Sequence, residues 1–177
     1  PASFIHERRP IAERPDIHDR QEPGHWEVDG MAFSVGGVSI LLAVERTSRL
    51  MVVRRQVGRT ATSVAANLKA ALRSIPAQFR RTLTFDNGTE FALHYKVGKT
   101  LKCRTFFCDP HHPWQKGSVE NAIGRLRRSL PRKTDTATLT PQRLRHIVQR
   151  YNDTPRKCLA FQTPNEAFSN LKAVALQ

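Results

Sequence analysis

Carboxylates are scarce in this chain, so their positions are informative. The sequence holds 15 Asp and Glu against 29 Lys and Arg, and only ten of the acids follow residue 25. Three of those ten sit in unusual settings. Asp29 falls inside a strand pattern, where Asp is disfavoured. Asp86 follows the short run Leu83-Thr84-Phe85 and opens the turn Asp86-Asn87-Gly88. Glu120 lies in a helical pattern among basic residues. Each has an ordinary explanation when taken alone: an exposed strand Asp, a turn Asp, and a Glu paired with Lys116 one helical turn earlier, worth roughly 0.2–0.5 kcal/mol. Together they form an all-oxygen set. Two carboxylates brought to neighbouring strand ends repel, and a divalent cation between them relieves the repulsion. Oxygen ligands favour Mg²⁺ or Mn²⁺ over zinc. Around Glu120 run Lys116, Arg125, Arg127, Arg128, Arg132 and Lys133, cations suited to gripping phosphates on either side of such a site. Gly124, one turn after Glu120, leaves room for a substrate backbone.

The elements that must position these residues can be read from periodicity. Strands are expected over 25–33, 38–44 and 50–57, forming an antiparallel meander with a Gly36-Gly37 turn. Thr60 caps a helix whose Val64, Leu68, Ala71, Leu72 and Ile75 share one face, closed by Pro76. A strand at 83–85, a short helix at 89–95 and a strand at 103–108 follow. Asp109 to Trp114 holds two prolines and must be a loop. A helix from about Gln115 to Leu130 buries Val119, Ile123, Leu126 and Leu130. Thr140-Pro141 opens another helix, and Thr163-Pro164-Asn165-Glu166 is a capping box. The order predicts an α/β fold with a mixed five-stranded sheet flanked by helices. Residues 1–24, polar and proline-punctuated, are expected to be an extended arm or linker. The core is placed at 25–177, with C-terminal helices over 140–170.

Composition narrows the function. With 39% hydrophobic and 25% charged residues, 177 residues suit one globular domain. No apolar run is long enough for a transmembrane helix, so no membrane role is expected. The formal charge is +14, and residues 96–157 carry +11 of it (15 Lys and Arg against four acids). Such a domain usually meets a polyanion. Three cysteines without a signal peptide suggest reduced thiols in a cytosolic compartment. Pro1 in place of Met suggests a piece of a longer protein. Cys103, Cys108, His111 and His112 match no common zinc spacing. Trp114 either stacks on a base or plugs the foot of its loop. Glu27 shares a strand face with Asp29 and reads as a neighbour or spare ligand. Glu90 reads as a helix cap, Asp109 as a loop former, and His25 and Trp26 as packing residues.

Three segments carry a resemblance: Gly24-His25-Trp26-Glu27-Val28-Asp29, Thr84-Phe85-Asp86-Asn87-Gly88-Thr89-Glu90, and Phe107-Cys108-Asp109-Pro110-His111-His112-Pro113-Trp114-Gln115-Lys116-Gly117-Ser118-Val119-Glu120-Asn121. With Asn152 to Lys157 and Thr163 to Ala167, they resemble the catalytic core of bacterial insertion-sequence transposases of the IS-thirty type, and more broadly retroviral integrases. Ile123 departs from the family's pattern, which has Asn there, and Val119 stands where a polar residue is common. The resemblance implies an RNase H-like fold and an Asp-Asp-Glu triad at Asp29, Asp86 and Glu120, acting as metal ligands. It implies Mg²⁺ or Mn²⁺, two per active site, hydrolysis at transposon ends, and transfer of the 3′-OH into target DNA. Lys116, Asn121, Arg125, Arg127, Arg128 and Trp114 are the expected DNA contacts. The expected setting is a homodimer or larger assembly on DNA in the bacterial cytoplasm, at the nucleoid. The competing readings are a nuclease that cuts without joining and a basic nucleic-acid-binding module without catalysis.

Overall fold

The computed structural model describes residues 5–15 and 20–175; parts of the expected arm (1–4 and 16–19) and residues 176–177 of the expected core lie outside them. Side-chain alternation explains the layering. Within β2 (Val38–Glu45), Leu41 and Ala43 join one core cluster, while Ile40, Leu42 and Val44 join another on the opposite face. A strand buried on both faces is a near-continuous apolar run, as the sequence from Val38 to Val44 is, with Ser39 its one polar residue. The sheet order is β3-β2-β1-β4-β5, with β1 (His25–Ala32), β3 (Met51–Val57), β4 (Thr82–Phe85) and β5 (Arg104–Phe107). The β1-β2 and β2-β3 pairs are antiparallel, and β1-β4 and β4-β5 are parallel. The expected mixed five-stranded sheet flanked by helices is therefore found.

One face carries α1 (Ala61–Leu72), α2 (His94–Leu101) and Phe168 of α5 (Pro164–Val174) around Trp26, Val28 and Phe85. The other carries α3 (Gly117–Leu126) and α4 (Pro141–Asn152) on Met31, Leu42 and Val44. Thr60, Thr140 and Thr163 cap α1, α4 and α5 as their sequences predict. Three helices differ from expectation. The first, α1, stops at Leu72, and Ile75, expected on its face, lies buried in the turn before Pro76. The short helix expected at 89–95 is a 3₁₀ turn at Thr89–Phe91, and α2 follows it. Val97 and Leu101, one turn apart, supply its buried face. At Gly98 a Cβ would lie 2.8 Å from the Cys103 carbonyl oxygen, so the chain can double back into β5 only past a glycine. The helix expected from Gln115 begins as a 3₁₀ turn, Pro113–Lys116, and α3 proper stops at Leu126. Leu130 is still fully buried, at the end of a tight turn whose N–H returns to the Leu126 carbonyl.

The described part of the N-terminal segment lies against the sheet. Phe107 N–H donates to the Arg9 carbonyl at 2.9 Å, and Pro10 forms a parallel bridge with Phe107. Ile5 is buried in the α1-side cluster. Arg8 donates to Asn87 Oδ1 and Arg14 to Thr84 Oγ1.

Candidate active site

Parity along β1 sets the site. Trp26 and Val28 face α1, so Glu27 and Asp29 face α3. The parallel register pairs Glu27 with Thr84; two residues on, Asp29 and Asp86 stand side by side where β4 ends. Asp29 Oδ1 accepts from Gly30 N–H at 2.7 Å, and Asp86 Oδ1 from Gly88 N–H at 3.0 Å. Each carboxylate thus keeps one oxygen on the backbone and turns the other, Oδ2, to the same cation. That cation is the Lys116 ammonium, 3.1 Å from Asp29 Oδ2, 3.3 Å from Asp86 Oδ2 and 3.3 Å from the Val28 carbonyl oxygen. Lys116 is only 4% exposed. Burial alone would lower its pKa, but Asp29 and Asp86 outweigh burial and hold it above the ordinary lysine value. The two aspartates therefore converge on one positive charge, which is the test a divalent-cation site must pass: hard oxygen donors, net negative, with a shared focus.

Glu120 sits on the exposed side of α3, one turn after Lys116. Burial raises its pKa, Lys116 opposes the rise, and the negative charges of Asp29 and Glu27 add to it. It stands near the aspartates without closing on them: among the described residues, no three His, Cys, Asp or Glu side chains converge tightly enough to hold an ion. Lys116 fills the space between the carboxylates.

Glu27 does something else. It is 1% exposed, and its Oε2 accepts from the backbone N–H groups of Ser118 (2.7 Å) and Val119 (2.9 Å). Its Oε1 is 3.2 Å from Arg46 Nε. The carboxylate thus caps α3, which has no capping side chain of its own, and so fixes the helix that carries Lys116 and Glu120. A helix start at Lys116-Gly117 without a Ser, Thr, Asp or Asn cap was the signal that an acceptor had to come from elsewhere in the chain.

The remaining candidates are dispersed. Asn121 and Arg125 are exposed, and Arg125 Nε donates to Asn121 Oδ1 at 3.0 Å. Arg127 turns inward, donating to the Ala32 carbonyl oxygen and lying over Phe33. Arg128 is exposed beyond the end of α3. Trp114 plugs nothing; it is 68% exposed and touches His112 edge-on. Asp109 exchanges two hydrogen bonds with Gln115 and shapes its loop. Glu90 makes no hydrogen bond among the described residues; it lines a small cleft with Asp29, Gln56 and Arg59. Burial pushes the Cys103 and Cys108 thiols up to about 11 each.

The family profile of the integrase core domain matches residues 19–113. Over 159 residues the chain is 36% identical to the transposase of insertion sequence element IS1086 from Cupriavidus metallidurans, covering 90% of this chain and 47% of that protein. It is 37% identical over 158 residues to transposase InsI of insertion sequence element IS30C from Escherichia coli, covering 89% of this chain and 41% of that protein. The chain spans about half the length, or slightly less, of these relatives. Its fold is similar to the catalytic core domain of BIV integrase, at a TM-score of 0.66 and 22% identity, covering 87% of this chain and 99% of that one. The β1-β4 aspartate pair, the RNase H-like sheet and the family match agree: the chain belongs to the integrase core domain family.

Proposed function

We propose that this domain is the catalytic core of an Asp-Asp-Glu transposase, which cuts DNA at transposon ends and joins the freed 3′-OH to target DNA. The observation that carries the reading is the convergence of Asp29 Oδ2 and Asp86 Oδ2 on one cation beside Glu120. Asp29, Asp86 and Glu120 would hold divalent ions. Bound there, two Mg²⁺ or Mn²⁺ ions supply stabilisation of the attacking and leaving oxygens of an in-line displacement. The backbone bonds from Gly30 and Gly88 orient the aspartates. Glu27 holds α3 against β1, so that Glu120 is presented on the sheet face where Asp29 and Asp86 meet. Glu120, exposed on its helix, closes on the pair by rotating its side chain. Lys116 occupies the focus of the two aspartates and would have to give it up when divalent ions bind, which would free its ammonium for the scissile phosphate. Water and then the 3′-OH serve in turn as nucleophile, so no side chain need become covalently attached. Asn121, Arg125, Arg127, Arg128 and Trp114 are proposed DNA contacts, with Arg127 first having to leave the Ala32 carbonyl. The proposed partners are transposon ends, target DNA and further copies of the chain, in the bacterial cytoplasm at the nucleoid. Among the described residues, no helix is long and apolar enough to cross a membrane.

The test is incubation with labelled end duplex, plasmid target and Mg²⁺ or Mn²⁺. Nicked ends and joined products are expected, and Asp29→Asn, Asp86→Asn and Glu120→Gln should each lose both, with thermal melts confirming a folded protein. A variant that keeps near-wild-type cleavage removes its residue from the triad. Nicks without joining would make the domain a metal-dependent nuclease, and DNA binding without either would make it a binding module.

A further inference from the structure

A second basic region lies beside α3. A cavity of about 600 Å³ is bounded by α3 from Gly117 to Arg125, the β2-β3 turn, the end of α4, Arg20 of the N-terminal segment and the 3₁₀ turn Lys157–Leu159 with its preceding Arg156. Of its ten lining residues five are cationic, namely Arg20, Arg49, Arg125, Arg156 and Lys157, and none is acidic. Among the described residues none of the five forms an ion pair. Arg49 donates to Ser118 Oγ at 2.7 Å and Arg125 to Asn121 Oδ1. Arg156 is 6% exposed and lies 4.4 Å from the Tyr151 ring centroid, and its Nη2 donates to the Tyr151 carbonyl oxygen. Its buried Nε has no hydrogen-bond partner. An orphaned buried donor on a cation is costly, and five like charges around one cavity repel. Both costs are relieved by an anion with several acceptor oxygens, and guanidinium forks match phosphate oxygens best. The volume suits a nucleotide unit. The place is also specific: Ser118 and Asn121 of the wall flank Glu120 on α3.

We propose that this cavity binds backbone phosphate of the DNA strand held at the catalytic edge, with Arg49, Arg156 and Lys157 joining Arg125 as its grip. The inference rests on the DNA reading above and extends the contact surface from α3 to two other segments, the β2-β3 turn and residues 156–157. The site carries its own reporter. Cys158 lines the cavity and is exposed, whereas Cys108 is buried and both Cys103 and Cys108 are held protonated near neutral pH. A neutral maleimide at pH 7.5 therefore labels Cys158 first, with Cys158→Ser as the blank.

The experiment measures that labelling rate in EDTA, without metal, while fluorescence anisotropy reports DNA binding separately. At DNA ten times above its Kd, labelling should slow about tenfold, and a duplex with an uncharged methylphosphonate backbone should not protect. Arg125→Ala with Lys157→Ala, both exposed positions, should lower the slope of log K against log salt by about 1.8 and weaken protection at fixed DNA concentration. If DNA binds while Cys158 reacts at the rate of the free protein, the cavity proposal is overturned and the DNA reading stands. Protection by inorganic phosphate but not by bound DNA overturns it as well, leaving a small-anion pocket. Absence of any DNA binding overturns both readings together.

Discussion

Two residues apart on β1, Glu27 and Asp29 face the same side of the sheet and serve different partners. The period of two places them together and cannot say more, because Glu27 meets the Ser118 and Val119 amides 91 and 92 residues away. The sequence therefore leaves Glu27 as a neighbour or spare ligand of the aspartates, when it is the cap of α3. The difference has measurable consequences. Arg46 is 6% exposed, and its Nε and Nη1 make no hydrogen bond, so the Glu27 carboxylate is its nearby compensation. Glu27→Gln keeps an acceptor for the helix amides but strands a buried guanidinium. Removing one partner of a buried pair costs about 3–5 kcal/mol, so urea denaturation should show a loss of that order, with cleavage falling in proportion to the unfolded fraction. A Glu27→Gln protein of unchanged stability that needs far more Mn²⁺ would instead make Glu27 a metal ligand. The meeting of Asp29 with Asp86 was legible because acids are rare here, one standing inside a strand pattern and the other where a neighbouring strand runs into a turn. The inward turn of Lys116 was not, since a lysine four residues before a glutamate reads as a surface pair.

Helices that carry their own caps were read correctly, and those that borrow one were not. Thr60, Thr140 and Thr163 each bond an amide three residues on, a wholly local signal. The start of α3 depends on β1, and the N-terminal segment is held by groups distant in sequence, one of them on α2. His94, the first residue of α2, is 2% exposed and joins three segments. Its Nε2–H donates to the His6 carbonyl, and Nδ1 accepts from the Thr105 hydroxyl; the carbonyl can only accept, which sets the tautomer. Burial lowers its pKa below the ordinary 6.5, and His25 on β1 is lowered for the same first reason, against the pull of Glu22. The unfolded chain then binds protons that the folded one refuses. Stability from this source is present above pH 6.5 and lost as pH falls below it, at up to about 1.4 kcal/mol per pH unit for each histidine. Chemical denaturation between pH 7 and pH 5 should show that decline, and His94→Gln should flatten it. A slope unaltered by His94→Gln would remove His94 as a source.

Net charge announces a polyanionic partner but not the face that meets it. Residues 96–157 carry most of the excess, yet the fold divides them between the two sides of the sheet. Lys96 and Lys99 lie exposed on α2, packed with α1. Arg125 and Arg128 lie exposed on α3 and just beyond it, on the side where Asp29 and Asp86 converge. Sequence alone groups all four into one basic stretch, because the switch of sides occurs through β5 and the loop at 108–112, whose path depends on strand pairing rather than on composition. A DNA duplex docked over the carboxylates reaches the second pair and not the first. Each phosphate neutralised releases condensed counterions, at about 0.9 in the slope of log K against log salt. Arg125→Ala with Arg128→Ala should therefore lower the slope by up to about 1.8, equally on all sequences, since phosphate contacts carry no base information. Lys96→Ala with Lys99→Ala removes the same formal charge from α2 and should leave the slope within error. Equal losses for the two double variants would mean that DNA responds to net charge alone, with no preferred face; a loss confined to the α2 pair would place the DNA on the side of the sheet away from Asp29, Asp86 and Glu120.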